Sequence, residues 1–153
     1  KLYRRSMYTY WKRSAPMPNM MAFDAPTREK CVIQRQVTNT PLQALVTMND
    51  EQFVEASRLF AERVINEGGD TFESKLDYAF LLATARPSDA LRRQVLNSLY
   101  ERQYTIYKDD TKRAEALLKV GDYPRDESLD VSELAAWTMT VSAILNLDES
   151  LTH

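Results

Sequence analysis

The sequence has very little of the residue types on which many recognisable sites depend. Its 153 residues include only three glycines, one cysteine and one histidine. So few glycines disfavour turn-rich β-sandwiches and the glycine loops that cradle phosphate groups. Because Cys31 is alone, it cannot form a disulfide within the chain, and cysteine usage does not indicate a cellular compartment.

The scarcity of histidine and cysteine also excludes several kinds of catalytic centre. A zinc or haem site needs converging ligands, and the candidates are Cys31 and the last residue, His153. The sequence has no CxxCH motif for covalent haem and no Glu-x-x-His pair for a di-metal bundle site. A nucleophilic triad would depend on the terminal His153 as its base. We therefore expect no catalytic residue, cofactor or metal site in this chain, although its 22 acids leave a carboxylate pair for glycoside hydrolysis open.

Long apolar runs are missing as well. No stretch approaches the roughly 18 apolar residues that span a bilayer, and no signal peptide is recognisable, so we expect no membrane span. With 44% hydrophobic and 27% charged residues, the composition is typical of a globular chain rather than a disordered one. The opening KLYRRSMYTYWKR starts neither with Met nor with a loop-like lead-in, so we expect a fragment of a longer protein.

The stretch TNTPLQALVTMND, residues 38–50, contains two helix starts in quick succession. Thr40 can cap a helix that begins at Pro41, where a missing N–H costs nothing. Asn49 and Asp50 can end this helix and cap a second one, expected from about 51 to 67 and ended by Gly68-Gly69. Apolar residues at helical spacing predict the two buried faces: Leu42, Leu45 and Val46 in the first helix, and Phe53, Ala56, Leu59, Phe60, Val64 and Ile65 in the second.

Four further helices are expected after this hairpin, starting near Asp70, Ser88, Asp110 and Asp130. The last, from Asp130 to about Leu147, is apolar almost all round, so we expect it to be the most buried. The buried faces predicted for the first two are Phe72, Leu76, Ala79, Phe80 and Ala83, and then Leu91, Val95, Leu99 and Ile106.

The first forty residues have a different sequence pattern from the helical part of the chain. A helix is predicted from Leu2 to Ser14, and residues 15–38 are expected to be irregular. Within them, the stretch CVIQRQV could form a short strand. The chain as a whole predicts an all-α, irregular bundle of about six helices with an irregular, basic N-terminal segment. We expect one helical domain, 1–153, consisting of a basic, aromatic segment 1–40 and a helical core 41–153.

Charge is distributed unevenly along the chain. Residues 1–35 hold eight Lys or Arg against two acids, a net charge of +6, so the remainder carries −8 within a total of −2. Aromatic and basic side chains alternate at the start: Tyr3, Tyr8, Tyr10 and Trp11 with Arg4, Arg5, Lys12 and Arg13. Such residues can grip a polyanion or an acidic sugar. The favoured interpretation is that the aromatics are in a core or an interface and the cations pair with the acidic remainder.

A helix-turn-helix interpretation of the hairpin is disfavoured by charge. The second helix begins with Asp50 and Glu51 and later carries Glu55, which would repel DNA phosphates. The sequence pI of about 5.5 points the same way. We therefore expect no sequence-specific nucleic-acid binding.

Several unusual stretches occur in the order of a known family: RRSMYTYWKRSAP, AFDAPTREKC, RQVTNTPLQALVTMNDEQFVEASRLFAERV, ARPSDALRRQVL, LDVSELAAWT and LNLDESLT. With these, the chain resembles the C-terminal half of a planctomycete-specific domain of unknown function, found at the C-terminus of planctomycete cytochrome-c-domain proteins. The resemblance implies an extracytoplasmic or periplasmic location, haem on another domain of the parent protein, and packing against the upstream half of the same domain. It implies no biochemical activity.

Among the positions that match the family stretches, five polar residues are explained least by folding and form the candidate binding surface: Lys12, Arg13, Asp24, Asn39 and Gln43. Two functional hypotheses remain open. The chain is a non-catalytic structural or interaction module that packs on other parts of its parent protein through a surface formed by residues 1–40. Alternatively, it provides a carbohydrate- or polyanion-binding surface, or half of an active site that acts on polysaccharide.

Overall fold

Helices provide all the regular structure in the part of the chain that can be described. The computed structural model describes residues 6–12, 14–34 and 38–152, and no strand occurs among them. The predicted all-α fold class is therefore confirmed. After a 3-10 turn, Ser6–Tyr8, these residues form α1 Pro18–Ala22, α2 Pro41–Asn49, α3 Glu51–Glu67, α4 Phe72–Thr84, α5 Ala90–Asp109, α6 Thr111–Leu118, α7 Val131–Leu145 and α8 Asp148–Leu151. Apart from the short α1 and α8, these described residues form six helices, which correspond to the two of the predicted hairpin and the four predicted after it.

Side-chain caps start the hairpin helices where the sequence predicts them. The Thr40 hydroxyl accepts a hydrogen bond from the Gln43 N–H at 3.4 Å, and the Gln43 side chain accepts one from the Thr40 N–H at 3.0 Å. This reciprocal pair is a capping box, which satisfies two amides that the helix itself leaves unpaired. Asp50 caps α3 by accepting from the Gln52 N–H at 3.0 Å.

Two other helix starts lie one residue later than predicted. Thr71, rather than Asp70, caps α4. Asp89, rather than Ser88, caps α5. The reason at α5 is tertiary, because the Ser88 hydroxyl donates to Asp77 of α4 and accepts from the Arg93 guanidinium at 2.7 Å.

Helix α7 lies at the centre of the fold, as its all-round apolar sequence predicts. Nine of its fifteen residues are buried, and it packs against α3, α4, α5 and α6. Trp137 is 1% exposed, with its ring centroid 5.2 Å from Phe72 and 5.1 Å from Tyr100. Val141 and Ile144 are fully buried, so the prediction for this helix is confirmed.

Helix α2 buries the opposite face from the one that its apolar residues predict. Leu42 and Leu45 are 57% and 59% exposed, whereas Gln43 and Thr47 are 2% and 6% exposed. Gln43 can be buried because its side chain is hydrogen-bonded at both ends, to Thr40 and to Thr38. The expectation that Leu42 and Leu45 enter the core is therefore wrong.

The buried faces of α3 and α5 also differ in part from the apolar stripes. In α3, Ala56 is exposed, while Glu55 and Arg58 are buried. In α5, Leu91 and Val95 are exposed. Charged contacts set the rotation of this end of α5, because Arg92 pairs with Glu149 of α8 and Arg93 pairs with Asp77 of α4 at 3.0 Å.

The N-terminal helix predicted from Leu2 to Ser14 is wrong for the residues that can be described. Only the 3-10 turn Ser6–Tyr8 forms, and residues 9–12 are not helical. Residues 1–5 and 13 lie outside the described residues, as do 35–37 of the suggested strand CVIQRQV, whose residues 31–34 form no strand. Instead, Pro18 starts α1, because its fixed φ suits the first turn of a helix.

Candidate interaction site

Three polar side chains close the loop that follows α1. Asp24 accepts hydrogen bonds from the Thr38 N–H at 3.0 Å and from the Thr38 hydroxyl at 2.6 Å. The Gln43 amide then donates to the same hydroxyl at 3.2 Å, so the network runs from the end of α1 into α2. Asp24 has a positive φ of 54°, a conformation that a short polar side chain tolerates. These contacts give Asp24 and Gln43 a structural role in fixing both ends of the loop.

The remaining sequence-predicted residues lie apart from this network. The Asn39 amide donates to the Asp148 carboxylate at 2.8 Å and so ties the start of α2 to α8. Lys12 is exposed, and Arg13 lies outside the described residues. The structure therefore joins Asp24 and Gln43 through Thr38, and it does not bring Lys12 or Asn39 into that network.

A groove of about 520 Å³ lies where α1 meets the start of α3. Asn19 of α1 donates to the Asp50 carboxylate at 2.7 Å, which holds the two elements together. The rings of Phe23 and Phe53 pack with their centroids 5.7 Å apart. The residues that line the groove include Met7, Trp11, Met20, Phe23, Arg28 and Phe53.

The Arg28 guanidinium lies over the Trp11 ring, 5.2 Å from its centroid. A cation in this position is attracted to the negative face of the ring, with an energy of about 0.5–1 kcal/mol at an exposed site. Arg28 has a positive φ of 65°, which is uncommon outside glycine. No ion pair among the described residues includes Lys12, Arg28 or Lys30. The groove therefore combines aromatic surface with a cation whose charge is not neutralised by a described carboxylate.

Exposed apolar side chains are concentrated in the first third of the chain. Ten of the fifteen large hydrophobic residues that are exposed in the described part fall between positions 7 and 48. Three of them share the outer face of α2, and we call Leu42, Leu45 and Met48 the α2 stripe. A contiguous apolar surface on a folded chain is typical of a protein–protein contact.

Buried charges on α3, which sequence reasoning missed, hold the loop between α6 and α7. Arg58 is 1% exposed, and its guanidinium pairs with Glu62 at 2.7 Å and donates to the Tyr123 carbonyl at 2.6 Å. The Glu55 carboxylate accepts from the Asp122 N–H at 2.8 Å. Buried charges need such partners, since an unpaired one is costly. The signal that could have found them is their helical spacing on the face that α3 shares with Ala61 and Val64.

Gly121 lies against this cluster with a φ of 94°. A Cβ at this position would come 1.9 Å from the Glu55 carboxylate, so only glycine fits without displacement. Glu55, Gly121 and Asp122 also line a second cleft of about 420 Å³. Gly121 therefore marks a close approach of the backbone to a buried carboxylate.

The largest pKa shift among the described residues belongs to a tyrosine in the core. Burial raises the pKa of Tyr100 to about 12, because a buried phenolate is poorly solvated, and Glu133 adds to the shift. Burial also raises the pKa of Tyr107. Both tyrosines are on α5 facing the core, so these shifts reflect packing rather than catalysis.

Neither a metal-binding cluster nor a membrane-spanning helix occurs among the described residues. No group of three or more His, Cys, Asp or Glu side chains there could hold a metal ion. None of the helices described is both long and apolar enough to cross a membrane.

The described residues thus form an all-helical fold with an apolar, partly basic surface in the first third of the chain. The chain belongs to the PSD1 family, proteins of unknown function (DUF1553), whose family model matches residues 1–100. That match includes the groove and the α2 stripe. No curated protein and no solved structure is significantly similar to the chain.

Proposed function

We propose that this chain is a non-catalytic interaction module, the C-terminal part of a larger domain that lies in a multidomain protein. The resemblance found in the sequence supports the context: a planctomycete, cytochrome-c-associated, extracytoplasmic protein in which another domain carries haem. The family match is to proteins of unknown function and adds no reaction. The α2 stripe contacts the upstream half of the same domain, and the role of the module is to position the other domains.

The observation that carries this proposal is the α2 stripe. Gln43 and Thr47 turn inward to hydrogen bonds, and Leu42, Leu45 and Met48 turn outward to solvent. Each of the three outward side chains would contribute about 1 kcal/mol if a partner surface removed it from water. A face that is apolar and conformationally fixed by the capping box suits a permanent contact better than exposure to solvent.

A second candidate function rests on the Arg28–Trp11 contact. Basic side chains beside aromatic rings can grip a polyanion or an acidic sugar, which is the alternative expected from the basic segment. Five of its eight cations, Lys1, Arg4, Arg5, Arg13 and Arg35, lie outside the described residues. Because Leu42, Leu45 and Met48 form one exposed apolar face on α2, the interaction module is the better supported of the two.

Hydroxyl-radical footprinting with mass spectrometry tests the proposal, since methionine side chains react readily when exposed. Oxidation rates of Met48 and Leu45 are compared between this chain and the protein that contains it together with its upstream residues. We expect both to react several-fold more slowly in the longer protein. Leu91 and Tyr123, which are similarly exposed but lie outside the first third, are the matched controls and should keep their rates.

Equal rates for Met48 in the two proteins would refute the packing role of the α2 stripe. Salt-sensitive binding of a sulfated polysaccharide by the longer protein, with Met48 still fully reactive, would favour the polyanion surface instead.

A further inference from the structure

We infer that the groove between Trp11, Arg28 and Phe53 binds an acidic segment of a partner protein that presents an apolar side chain. The inference rests on the proposed interaction role but concerns a different surface from the α2 stripe. The groove lies on the α1 side of α3, whereas the α2 stripe is the outer face of α2. One surface would therefore hold the parent protein together while the other recruits a partner.

The apolar half of this recognition comes from the less exposed residues of the groove. Met20, Phe23 and Phe53 are half-buried, and Met7 at its edge is 71% exposed. The volume of about 520 Å³ lies in the range of pockets that accept one or two large side chains. Methionine adapts its shape to the side chain that it meets, which suits a peptide anchor.

The acidic character of the proposed partner is inferred from charge complementarity. Arg28 lines the groove, Lys12 is adjacent to Trp11 in the chain, and none of the described carboxylates pairs with either. The described residues among positions 1–35 contain three cations, Lys12, Arg28 and Lys30, and two acids, Asp24 and Glu29, of which Asp24 is hydrogen-bonded to Thr38. A partner with Asp or Glu beside its apolar anchor would neutralise this surface and bury the anchor in the same contact.

Hydrogen bonds hold the α1 side of the groove in place, which favours binding over exposure. Asn19 fastens α1 to Asp50 at the junction of α2 and α3, and Asp24 fastens the end of α1 to Thr38. These bonds fix both flanks of the segment that carries Arg28. Little ordering is then needed when a partner binds, so modest contacts suffice.

Tryptophan fluorescence provides a direct assay, because Trp11 lines the groove and Trp137 is 1% exposed. Acrylamide quenching therefore reports mainly on Trp11. The probe is a synthetic decapeptide with a central Leu-Phe pair between glutamates, and its controls replace either the glutamates by lysines or the Leu-Phe pair by alanines. We expect only the first peptide to protect Trp11, with binding that weakens as salt is raised.

Two variants test the two halves of the site, with affinity measured by calorimetry. Arg28→Glu should weaken binding of the acidic peptide by about tenfold or more. Arg102→Glu, which makes the same charge change at an exposed position on α5, should leave the affinity within about twofold. Met7→Ser should weaken binding of the peptide without changing any binding of dextran sulfate. Circular dichroism establishes that each variant keeps the helical content of the wild type.

Several outcomes would overturn the inference. These are no peptide binding, equal effects of Arg28→Glu and Arg102→Glu, or equal binding of the alanine-substituted peptide. If dextran sulfate binds through Arg28 and the peptide does not, the groove is a polyanion site. If the chain self-associates and Arg28→Glu abolishes this self-association, the groove binds a second copy. Failure of the groove leaves protection of Met48 in the longer protein intact, so the two proposals fail separately.

Discussion

Replacing Arg58 by methionine tests whether the buried charges of α3 hold the loop that leads into α7. Arg58 and Glu62 form an ion pair with side-chain exposures of 1% and 12%. The same helix contains a matched pair one turn further on, because Arg63 and Glu67 are also four residues apart but each 53% exposed. Methionine keeps the length of the arginine stem and removes only its charge and its donors.

The structure sets the size of the expected loss. Removing one partner of a buried ion pair costs about 3–5 kcal/mol, because the other charge is left buried without compensation. The Tyr123 carbonyl, 2.6 Å from the guanidinium, loses its donor as well. Acting against this, the buried Arg58 Nε has no hydrogen-bond partner among the described residues, so its removal relieves one unsatisfied donor. We therefore expect Arg58→Met to lower the free energy of unfolding by about 3 kcal/mol.

Urea unfolding at neutral pH, followed by circular dichroism and by the fluorescence of the buried Trp137, measures this loss. Arg63→Met is the control and should have no measurable effect, because solvent screens an exposed pair. Adding Glu62→Met to Arg58→Met should restore part of the stability, with a coupling of about 1–3 kcal/mol. Equal stabilities of Arg58→Met and Arg63→Met would refute the reasoning.

Three further predictions follow from single contacts. Gly121→Ala should lower the free energy of unfolding by at least about 2 kcal/mol, measured by urea unfolding, because the new Cβ would lie 1.9 Å from the Glu55 carboxylate at a φ of 94°. Gln43→Ala should cost about 1–2 kcal/mol by the same measurement, since it removes the side-chain acceptor of the Thr40 N–H, which is one half of the capping box, and the bond to Thr38 in the loop. Leu42→Ala, at an exposed position, should change stability by less than about 0.5 kcal/mol, and the reverse order would contradict the inverted burial of α2. The pKa of Tyr100 is raised from an ordinary value of 10.0 to about 12. The stabilisation that accompanies this shift is fully present below pH 10 and is lost as the pH rises towards 12. Wild type should therefore lose more stability than Tyr100→Phe between those pH values, and parallel losses in urea midpoints would contradict this.

The regular elements of the core could be predicted from the sequence because their signals are local. Thr40, Asp50 and Asp130 cap helices through amides two or three residues away, and such bonds need no distant partner. Helix α7 could also be predicted as central, since a helix without a polar face has to be surrounded by other elements. The groove could not be predicted in this way, because Phe23 and Phe53 are thirty residues apart in sequence and meet only when α1 docks on α3.

Only the tertiary structure decided that α2 buries its polar face and that α3 and α5 depart in part from their apolar stripes, whereas the buried face of α4 follows its apolar spacing. An apolar stripe such as Leu42 and Leu45 shows that a helix has an apolar face, but it does not show whether that face meets this chain, a partner or solvent. Gln43 and Thr38 determine the answer, because their hydrogen bonds to each other and to Asp24 make a polar face suitable for burial. The sequence by itself thus determined the all-α class, the helices α2 to α7 and the caps of α2, α3 and α7. Long-range polar pairing decided their orientation, and with it the surface that faces outward.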